Sequence, residues 1–552
     1  MDAACNIAAA LPRLAAEAPD RVAMRCPGRD GRYAVALTYA GLDARSDAIA
    51  AGLARRGIAR GSRTVVMVRP TPEFFLLMFA LFKAGAVPVL VDPGIDRRAL
   101  KQCLDEAEAE ACVGIPLAMR ARTVLGWAPS ARVRVTTGAR RWLADATLAQ
   151  VERDGAGAGP QLAATAPDEV AAILFTSGST GVPKGVVYRH RHFVAQVDML
   201  GTMLDLAPGG VDLPTFPPFA LFDPALGLTS VIPDMDPTRP SKADPRKLHA
   251  AIERFGVTQL FGSPALMRVL ADFGRPLPSV TRVTSAGAPV PADVVARMRD
   301  LLPADAQFWT PYGATECLPV AVVEGRELVT LRERTAAGAG TCVGRPVPPN
   351  EVRIIGITDD AIPEWSDALL VKPGQVGEIT VAGPTATDAY FNRESQTRLA
   401  KIREGGRTVH RMGDLGYFDA EGRLWFCGRK SQRVVTRDRT LCTEQVEPVF
   451  DAHPEVRRTA LVGIGDRGAQ RPLLCVELRP GIAKGERARI AAELRRLGEG
   501  LVHTAHVAGF AFHPAFPVDI RHNAKIGREK LAVWAARELR AGRVFEPAAV
   551  PD

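Results

Sequence analysis

Residues 171–175 (AAILF) form a short apolar run that passes directly into Thr176-Ser177-Gly178-Ser179-Thr180-Gly181-Val182-Pro183-Lys184-Gly185. This reads as a buried strand delivering a loop of small hydroxyl residues and glycines. Glycines let backbone N–H groups close in on phosphate oxygens, the hydroxyls add donors, and Lys184 adds charge. A Walker loop needs its second glycine immediately before the lysine; Pro183 stands there instead, so that reading fails. A merely flexible surface loop is the plain alternative, and ten consecutive residues of this composition after a buried strand argue against it.

The 552 residues exceed what one hydrophobic core supports, so two or more domains are expected. Hydrophobic residues at 47% and charged ones at 24% are ordinary for a globular protein. The net charge of +9 raises the question of nucleic acid. The arginines are scattered through helical segments, as at Arg487, Arg489, Arg495 and Arg496, and no compact basic tract with interleaved aromatics appears. A solvated basic face is the expectation, with weak attraction to acidic membrane surfaces or acidic partners left open. The nine cysteines show no CxxC and no regular spacing, which argues against a disulfide framework and a structural zinc site. The N-terminus lacks the basic region of a signal peptide, and the apolar stretch 74–91 is broken by Lys83, Gly85 and Pro88. A buried helix followed by a buried strand is expected there, with no integral membrane segment and a cytoplasmic location.

Along the chain, helix-period apolar spacing over 40–58 precedes a strand at 63–68, a helix at 73–84 and a strand at 87–91. The alternation returns at 253–257, 259–261 and the helix from Pro264, which predicts an α/β fold with largely parallel sheets. A small-residue linker spans 155–160. Beyond residue 429 come strand patterns at 459–462 and 473–478 and an amphipathic helix at 487–497. The expected division is a large N-terminal domain over 1–428, built of layered α/β subdomains, a hinge at 429–433, and a small α+β domain over 434–552.

At the phosphate loop the sequence resembles the adenylate-forming superfamily of acyl-CoA synthetases, luciferases and peptide-synthetase adenylation domains. Further motifs follow in that superfamily's order. Ser285-Ala286-Gly287-Ala288-Pro289 resembles its adenine-contacting turn, and Tyr312-Gly313-Ala314-Thr315-Glu316 the segment where the aromatic flanks adenine, Thr315 meets the α-phosphate and Glu316 holds Mg²⁺. Met412-Gly413-Asp414-Leu415-Gly416 matches the segment whose aspartate grips the ribose hydroxyls, Gly428-Arg429 the ribose-binding arginine, and Asn523-Ala524-Lys525-Ile526-Gly527-Arg528 the stretch with a mobile catalytic lysine. Singly, Glu316 reads equally as a surface carboxylate, Asp414 as a cap and Lys525 as a solvated lysine; six motifs in order outweigh those alternatives. The resemblance implies ATP and Mg²⁺ as cofactors and Lys525, Thr176 and Glu316 as catalytic residues. Nucleotide contacts would come from Thr176, Ser177, Gly178, Ser179, Thr180, Gly181, Lys184, Gly287, Ala288, Pro289, Tyr312, Gly313, Thr315, Asp414 and Arg429.

Attack of a carboxylate on the α-phosphorus brings two anions together, so charge neutralisation and alignment dominate. The superfamily usually passes the acyl group to a thiol, and this chain departs from that pattern. Val435 and Asp438 stand where a lysine and a glycine line the pantetheine path, Ser431 stands at the hinge, and Phe219-Ala220 lacks the histidine of an aromatic-histidine pair. Segments 66–92, 216–223 and 516–531 are similar to one branch, the β-lactone synthetases of bacterial long-chain olefin biosynthesis. That resemblance implies a 2-alkyl-3-hydroxy fatty acid substrate, ring closure by its own hydroxyl without CoA, and pathway partners that are thiolase-like, hydrolase-like and reductase enzymes. A long-chain acyl-CoA or acyl-carrier ligase is the runner-up, and a non-catalytic nucleotide- or acyl-binding relative the third reading. His190 and His192 are candidates for the base acting on the hydroxyl, against a plainer role as local hydrogen-bonding or pocket-lining residues.

Overall fold

The computed structural model describes residues 4–28, 30–92, 94–176, 183–518 and 526–545. Its first layer is a seven-stranded sheet in the order Ala146–Thr147, Val133–Thr136, Ala111–Gly114, Arg63–Met67, Val87–Val91, Val170–Thr176 and Lys184–Arg189. The first six strands run parallel, and the last turns back antiparallel, pairing Thr176 with Lys184. The glycine- and hydroxyl-rich segment between them therefore connects two neighbouring strands.

The helix Pro72–Lys83 packs on this sheet with every residue from Phe74 to Lys83 buried, matching the helix and strand expected from the apolar stretch. Lys83 is tolerated inside because its amine lies 2.6 Å from carboxylate oxygens of both Asp43 and Asp47. Among the described residues, no helix is long and apolar enough to cross a membrane. The supposed linker differs from expectation at its start. Gly155 ends the helix Leu148–Gly155 and presses on the helix Tyr39–Ala54, where a Cβ would come 1.8 Å from the Ala48 carbonyl oxygen. Gln161 then donates its amide to Asp47 and Ala163 to the Lys83 carbonyl, so the segment is strapped to the helices it leaves.

The second sheet has a parallel core of Val211–Pro214, Gln259–Gly262, Arg282–Ser285 and Gln307–Ala314. It continues antiparallel through Cys317–Glu324, Thr341–Pro346, Leu424–Arg429, Arg407–Phe418, Gly377–Ala382 and Glu351–Ile355. Its crossover helices carry their punctuation in the sequence: Asp244 caps Pro245–Phe255, which ends on left-handed Gly256, and Ser263 caps Pro264–Phe273, which ends on Gly274. A separate three-stranded sheet, Val456–Ile464, Arg471–Leu478 and Phe510–Phe512, is covered by Thr443–Asp451, Arg487–Glu499 and Arg528–Arg540. It closes around its own core of Val446, Phe450, Leu461, Leu474, Ile490, Leu494 and Phe510. The architecture is the α/β layering anticipated, with antiparallel strands extending the parallel core of the second sheet.

Candidate active site

The strand Gln307–Ala314 and the strand Cys317–Glu324 form a hairpin whose tip is Thr315-Glu316. Gly313 allows this tight return, since a Cβ there would lie 2.8 Å from the Leu318 Cβ and 2.9 Å from the Cys317 carbonyl oxygen. The tip is held from three sides. Tyr188 donates its hydroxyl to the Thr315 carbonyl at 2.6 Å. Thr387 donates both its amide and its hydroxyl to the Glu316 carbonyl, each at 2.9 Å. Tyr390 donates its hydroxyl to Oε1 of Glu316 at 2.7 Å.

A second group forms where Asp414, on Arg407–Phe418, pairs in register with Arg429 at the end of Leu424–Arg429. Tyr312 donates to Oδ2 of Asp414 at 2.6 Å, while Oδ1 lies 2.8 Å from Nη1 of Arg429 without a hydrogen bond of normal geometry. Asp414 is 3% exposed. Burial raises its carboxyl above the usual range even though the Arg429 guanidinium opposes the shift. Burial, followed by the Asp414 charge, pushes the Tyr312 phenol well up, and the Asp414 charge raises Arg429. Asp414 and Arg429 also feel the charge of Glu316, so the two groups share one electrostatic field.

Beyond the neighbouring strand Arg282–Ser285 lie Gly287, in the left-handed region at φ +96°, then Ala288 and Pro289. The Ser285 hydroxyl at that strand end is buried without a partner, as a ligand-facing donor would be. On the first sheet, Lys184 places its ammonium 4.8 Å from the Tyr390 ring centre, and burial lowers its pKa. Ser177, Gly178, Ser179, Thr180, Gly181 and Lys525 lie outside the described residues, as do Asn523 and Ala524.

Sequence reasoning missed Thr387, Tyr390 and Lys401. Lys401 is buried beneath Thr387, donating to its carbonyl and, at 3.1 Å, to its hydroxyl. Burial lowers its pKa to about 8. None of the three stands in a motif read from the sequence; the signal was only a tyrosine and a threonine shortly before Phe391-Asn392. His190 and His192 are fully buried, and burial lowers them to about 4 and about 3. His192 accepts the Arg189 amide at 3.0 Å, which is the local hydrogen-bonding role. Asp438 is exposed near a hairpin end, accepting from the Thr436 hydroxyl at 2.8 Å and pairing with Arg439.

Glu316 offers a hard oxygen ligand: Oε1 is engaged by Tyr390, and Oε2 meets no hydrogen-bond donor among the described residues. One free carboxylate oxygen in a field of cationic side chains fits Mg²⁺ accompanied by phosphates. A buried acceptor pair, a flanking arginine and an aromatic ring suit a ribose and a base.

The sequence matches the AMP-binding enzyme family over residues 11–391. It is 70% identical over 548 residues to an olefin beta-lactone synthetase of Xanthomonas campestris pv. campestris, covering 98% of this chain and 99% of that protein. An olefin beta-lactone synthetase of Stenotrophomonas maltophilia is 69% identical, again across 98% and 99% of the two chains. Among solved structures, the fold is similar to o-succinylbenzoate coenzyme A synthetase from Bacillus subtilis in complex with ATP and magnesium ion. That likeness has a TM-score of 0.72 at 20% identity and covers 95% of this chain and 98% of that one.

Proposed function

The chain belongs to the AMP-binding enzyme family and is an adenylate-forming ligase, and on that premise we propose that it converts a 2-alkyl-3-hydroxy long-chain fatty acid, with ATP, into a β-lactone, AMP and pyrophosphate. The observation that carries this reading is the near-full-length identity of 70% to an olefin beta-lactone synthetase. The site's chemistry agrees with it.

In the proposed first step a carboxylate oxygen of the acid attacks the α-phosphorus of ATP and the bond to pyrophosphate breaks. Asp414 would accept the ribose hydroxyls, with Arg429 and the Tyr312 hydroxyl holding the carboxylate in place. Gly287, Ala288 and Pro289 would line the base, and Thr176 to Gly181 with Lys184 the phosphates. Glu316 would hold Mg²⁺, which screens phosphate charge when bound. Lys525 would place a cation at the carboxylate and α-phosphate, brought there as residues 434–552 move about the hinge 429–433 against residues 1–428. In the second step the 3-hydroxyl oxygen attacks the acyl carbon, the bond to AMP breaks, and the hydroxyl proton is lost. The nucleophile is already part of the activated molecule, which removes the entropy of recruiting a second substrate, several kcal/mol where geometry is held.

Incubation with ATP and Mg²⁺, comparing plain fatty acid with the 2-alkyl-3-hydroxy acid, each with and without CoA, tests the proposal. Proton NMR of a cold extract should show the ring protons of a 3,4-dialkyl-oxetan-2-one, with one AMP per ring and no CoA consumed. A thioester product, or equal activity on acids lacking the 3-hydroxyl, would overturn it in favour of an acyl-CoA ligase. ATP binding without AMP release would indicate a non-catalytic relative.

A further inference from the structure

The outer edge of the seven-stranded sheet concentrates charge and exposed apolar side chains that the adenylation chemistry does not use. Residues 116–145 contain six arginines, at 120, 122, 132, 134, 140 and 141, against a single acid, Asp145. Five of the chain's nine net positive charges thus fall in thirty residues. Asp145 is already engaged by Arg134 at 2.8 Å, and Arg122 is turned inward to the carbonyls of Ala128 and Ala131. Arg120, Arg132, Arg140 and Arg141 are exposed, and their guanidinium groups make no hydrogen bond or ion pair with any described residue.

Apolar groups stand among these free charges. Trp142 is 73% exposed and Leu143 45%, immediately after Arg140 and Arg141. Leu143 has φ +61°, a left-handed conformation that costs a leucine energy. On the helix Pro116–Leu125, Leu117 at 63% and Val124 at 81% fall seven residues apart on one stripe, with Leu125 beside them. The loop and the helix adjoin: a Cβ on Gly138 would meet the Pro116 side chain at 2.5 Å. Two apolar residues at a loop tip, a tryptophan among them, flanked by unpaired arginines is the pairing that seats a protein in the interfacial layer of a bilayer with anionic headgroups. Nucleic acid would use the arginines but leave Leu143, Leu117 and Val124 without a role.

We propose that this edge, formed by Arg140-Arg141-Trp142-Leu143 and the exposed stripe of the helix Pro116–Leu125, docks the protein on an anionic lipid surface. Trp142 and Leu143 enter the interfacial layer while Arg120, Arg132, Arg140 and Arg141 face phosphate headgroups. The contact is peripheral, and its strength falls with ionic strength.

Flotation of the full chain with vesicles tests this in the absence of any substrate, so the outcome is separate from the identity of the acid. The protein should float with phosphatidylcholine vesicles containing phosphatidylglycerol and stay behind with phosphatidylcholine alone. Removing both tip charges in Arg140→Ser/Arg141→Ser should weaken the partition about thirtyfold. Trp142→Ser should weaken it about tenfold, as should Val124→Asp on the separate helix, with melting temperature and pyrophosphate–ATP exchange unchanged in each. Wild-type protein that remains unbound with anionic vesicles, as it would if the edge seats a protein partner, overturns the proposal. So does flotation that Trp142→Ser and Val124→Asp leave at the wild-type level, which would reduce the contact to net charge alone.

Discussion

Tyr390 donates its hydroxyl to Oε1 of Glu316 at 2.7 Å across 74 residues of sequence, and so fixes one oxygen of the carboxylate proposed to meet Mg²⁺. Thr387, three residues earlier, fixes the backbone of the same glutamate, and Lys401 anchors Thr387 from below. Orientation of Glu316 is thus supplied by a segment outside every recognisable motif. Tyr390→Phe removes one charge-assisted hydrogen bond, worth about 1.5–3 kcal/mol. The Mg²⁺ concentration for half-maximal adenylation should rise about tenfold or more, read by pyrophosphate–ATP exchange over a magnesium titration. Glu316→Gln, which removes the anionic ligand itself, should raise it further. An unchanged magnesium dependence in Tyr390→Phe would mean that Glu316 needs no such support.

Asp414→Ala removes the buried acceptor shared by Tyr312 and Arg429 and leaves the partly exposed arginine without its partner. The KM for ATP should rise by about tenfold to a hundredfold, with a smaller effect on the KM for the acid. Equal effects on both would place Asp414 in a structural role for the whole site.

The segments of the candidate site stand out in the sequence because each is local. The strand Val170–Thr176, the hairpin tip Thr315-Glu316 and the strand carrying Asp414 each bear a contiguous pattern, since backbone geometry there demands particular residues. The strands Arg63–Met67 and Val87–Val91 and the helix Pro72–Lys83 fell within a residue or two of expectation because their apolar runs are short and bounded by glycine, proline or charge. Tyr390, Thr387 and Lys401 were invisible for the opposite reason: their partners are Glu316 and one another, across a fold whose pairings no local window contains. Gly155 misled as a linker residue because a glycine chosen for close helix packing and one chosen for flexibility look identical in sequence. The basic edge at 116–145 was likewise missed, its arginines being too dispersed to form a tract.

Asp212 and Asp223 are 8% and 4% exposed and face each other beside Ser230, whose hydroxyl donates to Asp223. Burial, followed by the neighbouring carboxylate, raises Asp212 well above the carboxylate range, and burial raises Asp223 to about 7. The pair therefore holds a proton in the folded state that the unfolded chain releases near pH 4. Its contribution to stability is complete below about pH 4 and is lost as pH rises through about 7. The melting temperature should accordingly fall between about pH 5 and pH 8 by more in the wild type than in Asp212→Asn, which cannot ionise at that position. Parallel melting profiles for the two proteins would show that the pair does not titrate in this window.

The residues that follow Lys525 are tied down at several points. Ile526 bridges Val518, Gly527 donates its amide to the Pro517 carbonyl at 2.7 Å, and Arg528 reaches both Glu447, at 2.5 Å, and Gln432 of the proposed hinge, at 3.1 Å. Arg528 also offsets the acidic row on the helix Thr443–Asp451, where burial raises the Glu447 carboxyl to about 7. Two substitutions three residues apart should thus fail in different ways. Lys525→Ala removes a single cation and should leave the melting temperature within about a degree of wild type, while pyrophosphate–ATP exchange falls by about a hundredfold or more and ATP still protects against heat. Arg528→Met strips the partner from a buried carboxylate and should destabilise the C-terminal unit by about 3–5 kcal/mol, with exchange falling only as that unit unfolds. Its loss should be partly recovered at mildly acid pH, where Glu447 takes up a proton and no longer needs the guanidinium. Exchange that persists at the wild-type rate in Lys525→Ala would remove that lysine from the adenylation step, and an Arg528→Met protein as stable as wild type would show that the acidic row is neutral without its arginine.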